Sequence, residues 1–336
     1  MRFLLDDEQS EFGRTLDRML SAADTPSAVR AWAAGEHGPG RAVLGRLAEA
    51  GVFALAVPEA HGGLGPLPVE LAVSFVEVGR HAVPGPLVET VAAAALFGRL
   101  ARAGEAADAA KEWLPRLADG RAAVSLVLPG HGPYALDADA ADAVFAVTAA
   151  DELRRCPTYG PVQPSLDPAR RLARPLPAGE PVASGAAVRA AAEHAADWAA
   201  FATAAQALGT GLALLERTVA YVKERTQFGV AIGSFQAVKH RLADTLLGLE
   251  FARPLVFGAA VALASGSPGA GAEIAAAKVA AGEAAYAAAR SALQSHGAIG
   301  YTAELDLSLW IGKARALRSA WGTPAECRAR ALDLFH

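Results

Sequence analysis

The chain has 336 residues, a formal net charge of −4 and 53% hydrophobic residues, enough apolar side chain to bury one large core or two to three smaller ones. Alanine supplies much of that fraction and aromatic residues only 7%, which favours closely packed helices over a β-sandwich. Dispersed charges of both signs exclude a basic stripe for nucleic acid, leaving proteins and small molecules as the expected partners.

In chain order, residues 1–8 turn acidic at Asp6-Asp7-Glu8 before a signal-like apolar region forms, so no secretion signal is expected. From Asp7 to about Leu117 apolar positions such as Phe12, Leu16, Met19 and Leu20 recur at three and four, predicting several packed helices. Pro58 with Gly62, Gly63 and Gly65 interrupts that pattern and demands a loop. Between about Gly120 and Ala183 the runs 122–128 and 143–147 predict short strands, followed by an irregular connection rich in proline (Pro164, Pro168, Pro175, Pro177). From about Val188 the spacing predicts an antiparallel bundle with helices at 188–225, 235–264, 271–297 and 303–333. Val238, Leu242, Leu246 and Leu249 are the expected buried face of the second. The apolar run 255–263 is too short to span a bilayer and ends in a Ser-Gly-Ser-Pro-Gly loop signature, so it predicts a buried helix followed by a turn, and no membrane contact.

The expected fold is therefore mainly α with a small β middle domain, divided as 1–117 (N-terminal helical), 118–187 (shortened β) and 188–336 (C-terminal helix bundle). Cys156 and Cys327 have neither disulfide-framework nor metal-site spacing. Two inert thiols in a chain this long suit a reducing, cytoplasmic setting.

The segment 225–236, Arg-Thr-Gln-Phe-Gly-Val-Ala-Ile-Gly-Ser-Phe-Gln, carries the most chemistry. A guanidinium pairs bidentately with phosphate, and Gly229 and Gly233 let a main chain approach a ligand closely. Taken alone, Arg225 is equally a solvated charge at a helix end and Gly229 an ordinary helix stop. A second segment, Gln294-Ser295-His296-Gly297-Ala298-Ile299-Gly300-Tyr301-Thr302, alters that balance. Together the two resemble the acyl-CoA dehydrogenase flavoprotein family, in which Arg-x-x-Phe-Gly with Phe-Gln, and Gln-x-x-Gly-Gly-x-Gly, touch the FAD of a neighbouring subunit. The loop at 58–65 is similar to the family's Pro-Glu-x-x-Gly-Gly-x-Gly loop. The resemblance implies the family's three-domain fold and makes Arg225, Gln227, Phe228, Gln236, Gln294 and Gly297 candidate contacts to FAD, with Thr323 a further one for the chain's own cofactor. Ala298 departs from the pattern, adding a methyl at the second glycine.

Three other departures coincide. Acyl-CoA dehydrogenation needs a carboxylate to take the α-proton while the β-hydrogen leaves as hydride to flavin N5. In the family this glutamate precedes a Gly-Thr pair; here Gly322-Thr323 follows Trp321. At the family's alternative position, ten residues before Gly209, stands Ala199, followed by Ala200. Asp197 and Glu326 point away from those positions on ideal helices, by roughly 200° and about 140°, and are expected to be solvated charges. The Thr-Glu-Pro and Gly-Ser-Asp element beside the family's flavin ring is replaced by Leu128-Pro129-Gly130-His131-Gly132-Pro133, where two prolines lack N–H donors and His131 is expected to face solvent.

No catalytic residue and no metal site are therefore assigned. The resemblance implies a non-catalytic subunit of a heteromeric acyl-CoA dehydrogenase, a heterotetramer, completing the FAD site of a homologous catalytic chain that holds the acyl-CoA, by analogy a bulky or steroid-derived one. Two alternatives stay open: an active homo-oligomeric acyl-CoA or acyl-carrier dehydrogenase with an unrecognised base, and a cofactor-free scaffold or regulator.

Overall fold

The computed structural model describes residues 4–332. Six helices come first: α1 (Asp7–Ser21), α2 (Thr25–Ala33), α3 (Gly38–Glu49), α4 (Pro68–Arg80), α5 (Leu87–Arg102) and α6 (Ala107–Ala118). Short strands follow: β1 (Val124–Val127), β2 (Ala135–Leu136), β3 (Ala143–Val147), β4 (Glu152–Arg155), β5 (Thr158–Tyr159), β6 (Leu172–Ala173), β7 (Pro175–Leu176) and β8 (Ala183–Ser184). The long α7 (Ala186–Glu224) leads into β9 (Thr226–Gln227) and β10 (Val230–Ala231), and then α8 (Gln236–Ser265), α9 (Ala270–His296), α10 (Leu307–Leu317) and α11 (Pro324–Leu332). The fold is mainly helical with little sheet, as the composition predicts.

Two compact units are distinguishable. One comprises Arg18–Leu71 and Val83–Ala202. Its four-stranded sheet has the order β1-β3-β4-β8, with β1 parallel to β3 and the remaining pairs antiparallel. Phe145 on β3 anchors it, meeting Phe97 of α5 and Trp113 of α6 edge to face at 5.1 and 5.4 Å. Thr90 of α5 satisfies the sheet edge: Val124 N–H donates to its hydroxyl at 3.1 Å. The 58–65 loop is present as expected. A Cβ on Gly63 would lie 1.9 Å from the Val57 carbonyl oxygen, so only glycine fits that backbone approach.

The other unit, within the described residues, comprises 4–17, Ala72–Ala82 and 203–332. Here α4 and α7 lie backbone against backbone: a Cβ on Gly209 would sit 1.8 Å from Val76 O, and one on Gly79 2.0 Å from Gln206 O. Gly209 is thus a close-packing residue first.

Two expectations need correction. The fourth bundle helix, expected at 303–333, is broken into α10 and α11, because Trp321 and Gly322 both have positive φ (54° and 125°) and Pro324 starts a new helix. In α8 the buried stripe is Thr245, Leu249, Ala252, Val256 and Ala259, whereas Leu246 is 45% exposed. The helix is apolar around most of its girth, so periodicity alone does not say which face turns inward. The outward face carries Leu247, Phe251 and Leu255, with Phe251 73% exposed. By length and composition both α7 and α8 reach the threshold for crossing a membrane; α7 is largely buried within the chain and α8 largely is not.

Candidate functional site

The 225–236 segment forms a tight hairpin. After α7 ends, Val230 pairs with Gln227 and Ala231 with Thr226, leaving Phe228 and Gly229 at the corner with φ of 54° and 79°. Two positive φ values at a two-residue corner are the pattern of a type I′ turn, which glycine tolerates and phenylalanine resists, at a cost of order 1–2 kcal/mol. Phe228 is nonetheless 90% exposed, its ring 6.3 Å from that of Phe235. The main chain of Arg225 closes the hairpin, donating to Tyr221 O (2.9 Å) and accepting from Ile232 N (2.8 Å). Its guanidinium is exposed and engages no described residue. Gln227 and Gln236 are exposed as well.

The second motif lies at the end of α9. Gly297 has φ 64° and ψ −140°, a region open essentially to glycine alone. Ala298 at the next position is exposed. His296 is buried, which lowers its pKa and keeps it neutral; its Nδ1–H donates to Ala292 O at 2.8 Å. The ring stacks on Tyr221 with centroids 4.0 Å apart. Tyr221 is one turn before Arg225, so this stack ties the two motifs together through the ends of α7 and α9. Gln294 is exposed one turn before Gly297 and borders a groove between α8 and α9 that Arg225, Gln227, Phe228 and Gln236 do not line.

The segment around Trp321, which the resemblance places at the family's base, has a different character. Trp321 is half-buried. The buried Lys278 of α9 donates from Nζ to Leu317 O (2.9 Å), Arg318 O (3.2 Å) and Gly322 O (3.4 Å), capping α10 and clamping the turn that carries Trp321. A Cβ on Gly322 would meet Cys327 Sγ at 2.7 Å. Thr323 is a helix cap: its hydroxyl and N–H both donate to Glu326 Oε2, at 2.7 and 2.8 Å, and Glu326 N returns to the hydroxyl at 3.3 Å. This is a capping box, legible as Thr-x-x-Glu. Glu326, expected as a free solvated charge, is therefore committed to the start of α11. Ala199 and Ala200 on α7 are buried. Asp197 is half-buried with Oδ1 shielded from solvent, which corrects the expectation of a solvated charge.

Sequence patterns left two clusters unnoticed. Asp17, Glu77 and His81 bring donor atoms within 4.8 Å of one another. His81 Nε2 is 2.8 Å from Asp17, and Arg80 lies 3.4 Å from Glu77 Oε2 and 2.8 Å from Glu216. Burial pushes the Glu77 carboxyl up to about 7. With an arginine already seated among the carboxylates, the group is an internal ion network. The second is His194, whose Nε2 accepts from Trp198 Nε1 at 3.1 Å; burial, reinforced by Arg102 and Arg99, lowers its pKa. Both thiols are buried, and burial raises Cys156 to about 11, consistent with unreactive cysteines.

Residues 6–121 match the acyl-CoA dehydrogenase N-terminal domain and residues 189–329 the acyl-CoA dehydrogenase C-terminal domain. Acyl-CoA dehydrogenase IpdE2 of Mycobacterium tuberculosis is 35% identical over 328 residues, covering 96% of each chain. Acyl-CoA dehydrogenase FadE34 of the same organism is 35% identical over 294 residues, covering 82% of this chain and 40% of its own length. Among solved structures, a Tcur3481-Tcur3483 steroid ACAD variant superposes with a TM-score of 0.81 at 24% identity over 98% of both chains. The ChsE4-ChsE5 complex of Mycobacterium tuberculosis gives 0.81 at 22% identity over 100% of this chain and 99% of its own. Helical ends, glycine-dependent turns and near full-length similarity agree, and this chain belongs to the acyl-CoA dehydrogenase family.

Proposed function

We propose that this chain is the non-catalytic subunit of a heteromeric acyl-CoA dehydrogenase, paired with a homologous chain that supplies the glutamate and the acyl-CoA pocket. One observation carries the reading. The residue before Gly322-Thr323 is Trp321, held in a turn clamped by Lys278, and the alternative position, Ala199, is buried aliphatic surface. No carboxylate stands at either place where the family puts its base. The parts that the family turns toward a neighbour's FAD are, by contrast, chemically open.

The residues present fit half of a FAD site. Arg225 offers an unengaged guanidinium for a phosphate, Phe228 an exposed aromatic face, Gln227, Gln236 and Gln294 amide donors and acceptors, and Gly297 a backbone conformation without a side chain. Thr323, already bonded to Glu326, is the least available of the candidates. Bound FAD supplies the two-electron acceptor; this chain's part is to hold and orient it. The outward apolar face of α8, with Leu246, Leu247 and Phe251, supports pairing with another chain. Two similar structures are named as two-chain assemblies, one of them a steroid ACAD, and this supports a heteromer, in our reading a cytoplasmic heterotetramer, acting on a bulky acyl thioester.

The test is co-expression with a homologous chain carrying Glu-Gly-Thr, preferably from the adjacent reading frame. Wild-type complex is expected to co-purify with FAD and oxidise an acyl-CoA with an artificial acceptor. Arg225→Ala is expected to weaken flavin retention by roughly 10- to 100-fold, the equivalent of about 1.5–3 kcal/mol for one charge-assisted contact. A single chain that reduces an acceptor with an acyl thioester by itself would overturn the reading, and unchanged flavin content in the variant would favour a plain scaffold.

A further inference from the structure

A cavity of about 290 Å³ opens between α1, α4, α7 and α8, all within one compact unit. Its wall is apolar, with Val73 and Val76 from α4, Leu208 and Leu212 from α7 and Phe257 from α8. Helix α1 approaches closely because Gly13 faces α4, where a Cβ would lie 3.1 Å from Val73 Cγ1. The rim is charged: Arg14 and Asp17 come from α1, Glu77 and Arg80 from α4 and Arg253 from α8. No residue of the 58–65, 225–236 or 294–302 segments lines it.

An apolar wall with a charged mouth suits a molecule built the same way. Three guanidiniums at the rim against two carboxyl groups favour a negative head. Asp17 accepts from His81 Nε2 at 2.8 Å, and Arg80 is paired with Glu77 and Glu216. Arg14 and Arg253 pair with exposed carboxylates three residues away, Glu11 at 2.8 Å and Glu250 at 3.0 Å. Exposed pairs of this kind contribute little, and each guanidinium keeps donors to spare. Glu77 is the least satisfied group of the rim. Its side chain is 14% exposed, and Oε2 is shielded from solvent with no hydrogen bond from a described residue. Burial, opposed by Arg80 and reinforced by Asp17 and Glu216, pushes its carboxyl up to about 7. Protonated, it is a donor in search of an acceptor.

We infer that this cavity binds a short-chain aliphatic monocarboxylate, its alkyl chain against Leu208, Leu212 and Phe257 and its carboxylate between Arg14, Arg253 and the Glu77 carboxyl. A protonated Glu77 donates to the bound anion, whereas an ionised one repels it, so binding is tied to one proton on Glu77. The other charged and titratable groups around it are Arg14 and Asp17 on α1, Arg80 and His81 at the end of α4, Glu216 on α7 and Arg253 on α8. Burial lowers His81 below its ordinary value, which leaves Glu77 as the group that changes charge near pH 7. None of these residues enters the proposed subunit role, and the site stands or falls apart from it.

The test is isothermal titration calorimetry of the purified full-length chain with sodium hexanoate, sodium butyrate, 1-hexanol and hexylammonium chloride at pH 6 and pH 8. Hexanoate is expected to bind at pH 6, with butyrate about 15-fold weaker for the loss of two methylenes. Hexylammonium is expected not to bind. From pH 6 to pH 8 hexanoate affinity should fall about tenfold as Glu77 gives up its proton. Glu77→Gln keeps an amide donor at every pH; its melting curve at pH 6 should match wild type, and its hexanoate affinity should not change with pH. The double variant Arg14→Gln/Arg253→Gln alters exposed side chains, so it should melt like wild type while hexanoate affinity at pH 6 falls at least about tenfold. Absence of hexanoate binding, equal affinity for 1-hexanol or hexylammonium, or unchanged affinity in the double variant overturns the site. An undiminished pH dependence in Glu77→Gln overturns the part assigned to Glu77.

Discussion

Two ends of one helical unit show opposite states of chemical satisfaction. Around Trp321 every strong group has an internal partner: Lys278 bonds three carbonyls, Thr323 and Glu326 bond each other, and Gly322 leaves room for Cys327. Around the hairpin and the α8–α9 groove, Arg225, Arg241 and Arg290 engage no described residue and Phe228 stands in the open. A folded chain tolerates such open groups where water solvates them, but it gains nothing by placing them together. The contrast teaches that this chain is internally satisfied around Trp321 and open at the hairpin and the groove, the arrangement that the proposed role requires.

Breaking the satisfied end is expected to cost stability and nothing else. Lys278→Met removes the donor to three buried or half-buried carbonyls and should lower the unfolding free energy by on the order of 3 kcal/mol in a urea titration. Flavin content per folded complex should not change; a parallel loss of flavin would mean that the two ends are coupled. Thr323→Ala removes one side of the capping box and should cost about 1 kcal/mol by the same measurement. The smallest expected effect is the most pointed. Trp321→Glu puts a carboxylate at the family's base position, yet no acyl-CoA oxidation by the lone chain is expected, because the hydroxyl donors of the family's flavin-ring loop are replaced by Pro129 to Pro133. Activity in that variant would show that the missing base was the only defect and would break the contrast.

Much of the fold was legible because glycine and proline punctuate it. The ends of α7, α8 and α9 fall within three residues of the expected boundaries; Gly266 and Gly297, both at positive φ, cap α8 and α9, and α7 stops where the β9–β10 hairpin begins. The break between α10 and α11 was not anticipated. A left-handed tryptophan clamped by a lysine some forty residues earlier is a tertiary effect that no local pattern announces, although the Thr-x-x-Glu capping box was visible in the sequence. The α8 faces were ambiguous for another reason: alanine and leucine on all sides satisfy both an internal and an external contact. Arg241 and Arg290 were passed over because single arginines on exposed helix faces look alike until the fold shows that two of them line one groove and engage no described residue.

The corner at Phe228 has a kinetic consequence. Its backbone sits in a costly left-handed state, locked by two strand pairs and the Arg225–Ile232 hydrogen bond, so the aromatic ring is presented by a stiff arm before any encounter. The conformational entropy of ordering that arm is lost during folding and is absent from association. In the proposed complex, a partner meeting this corner would dock onto a surface already in its final shape, at a rate set by orientation and collision instead of loop rearrangement.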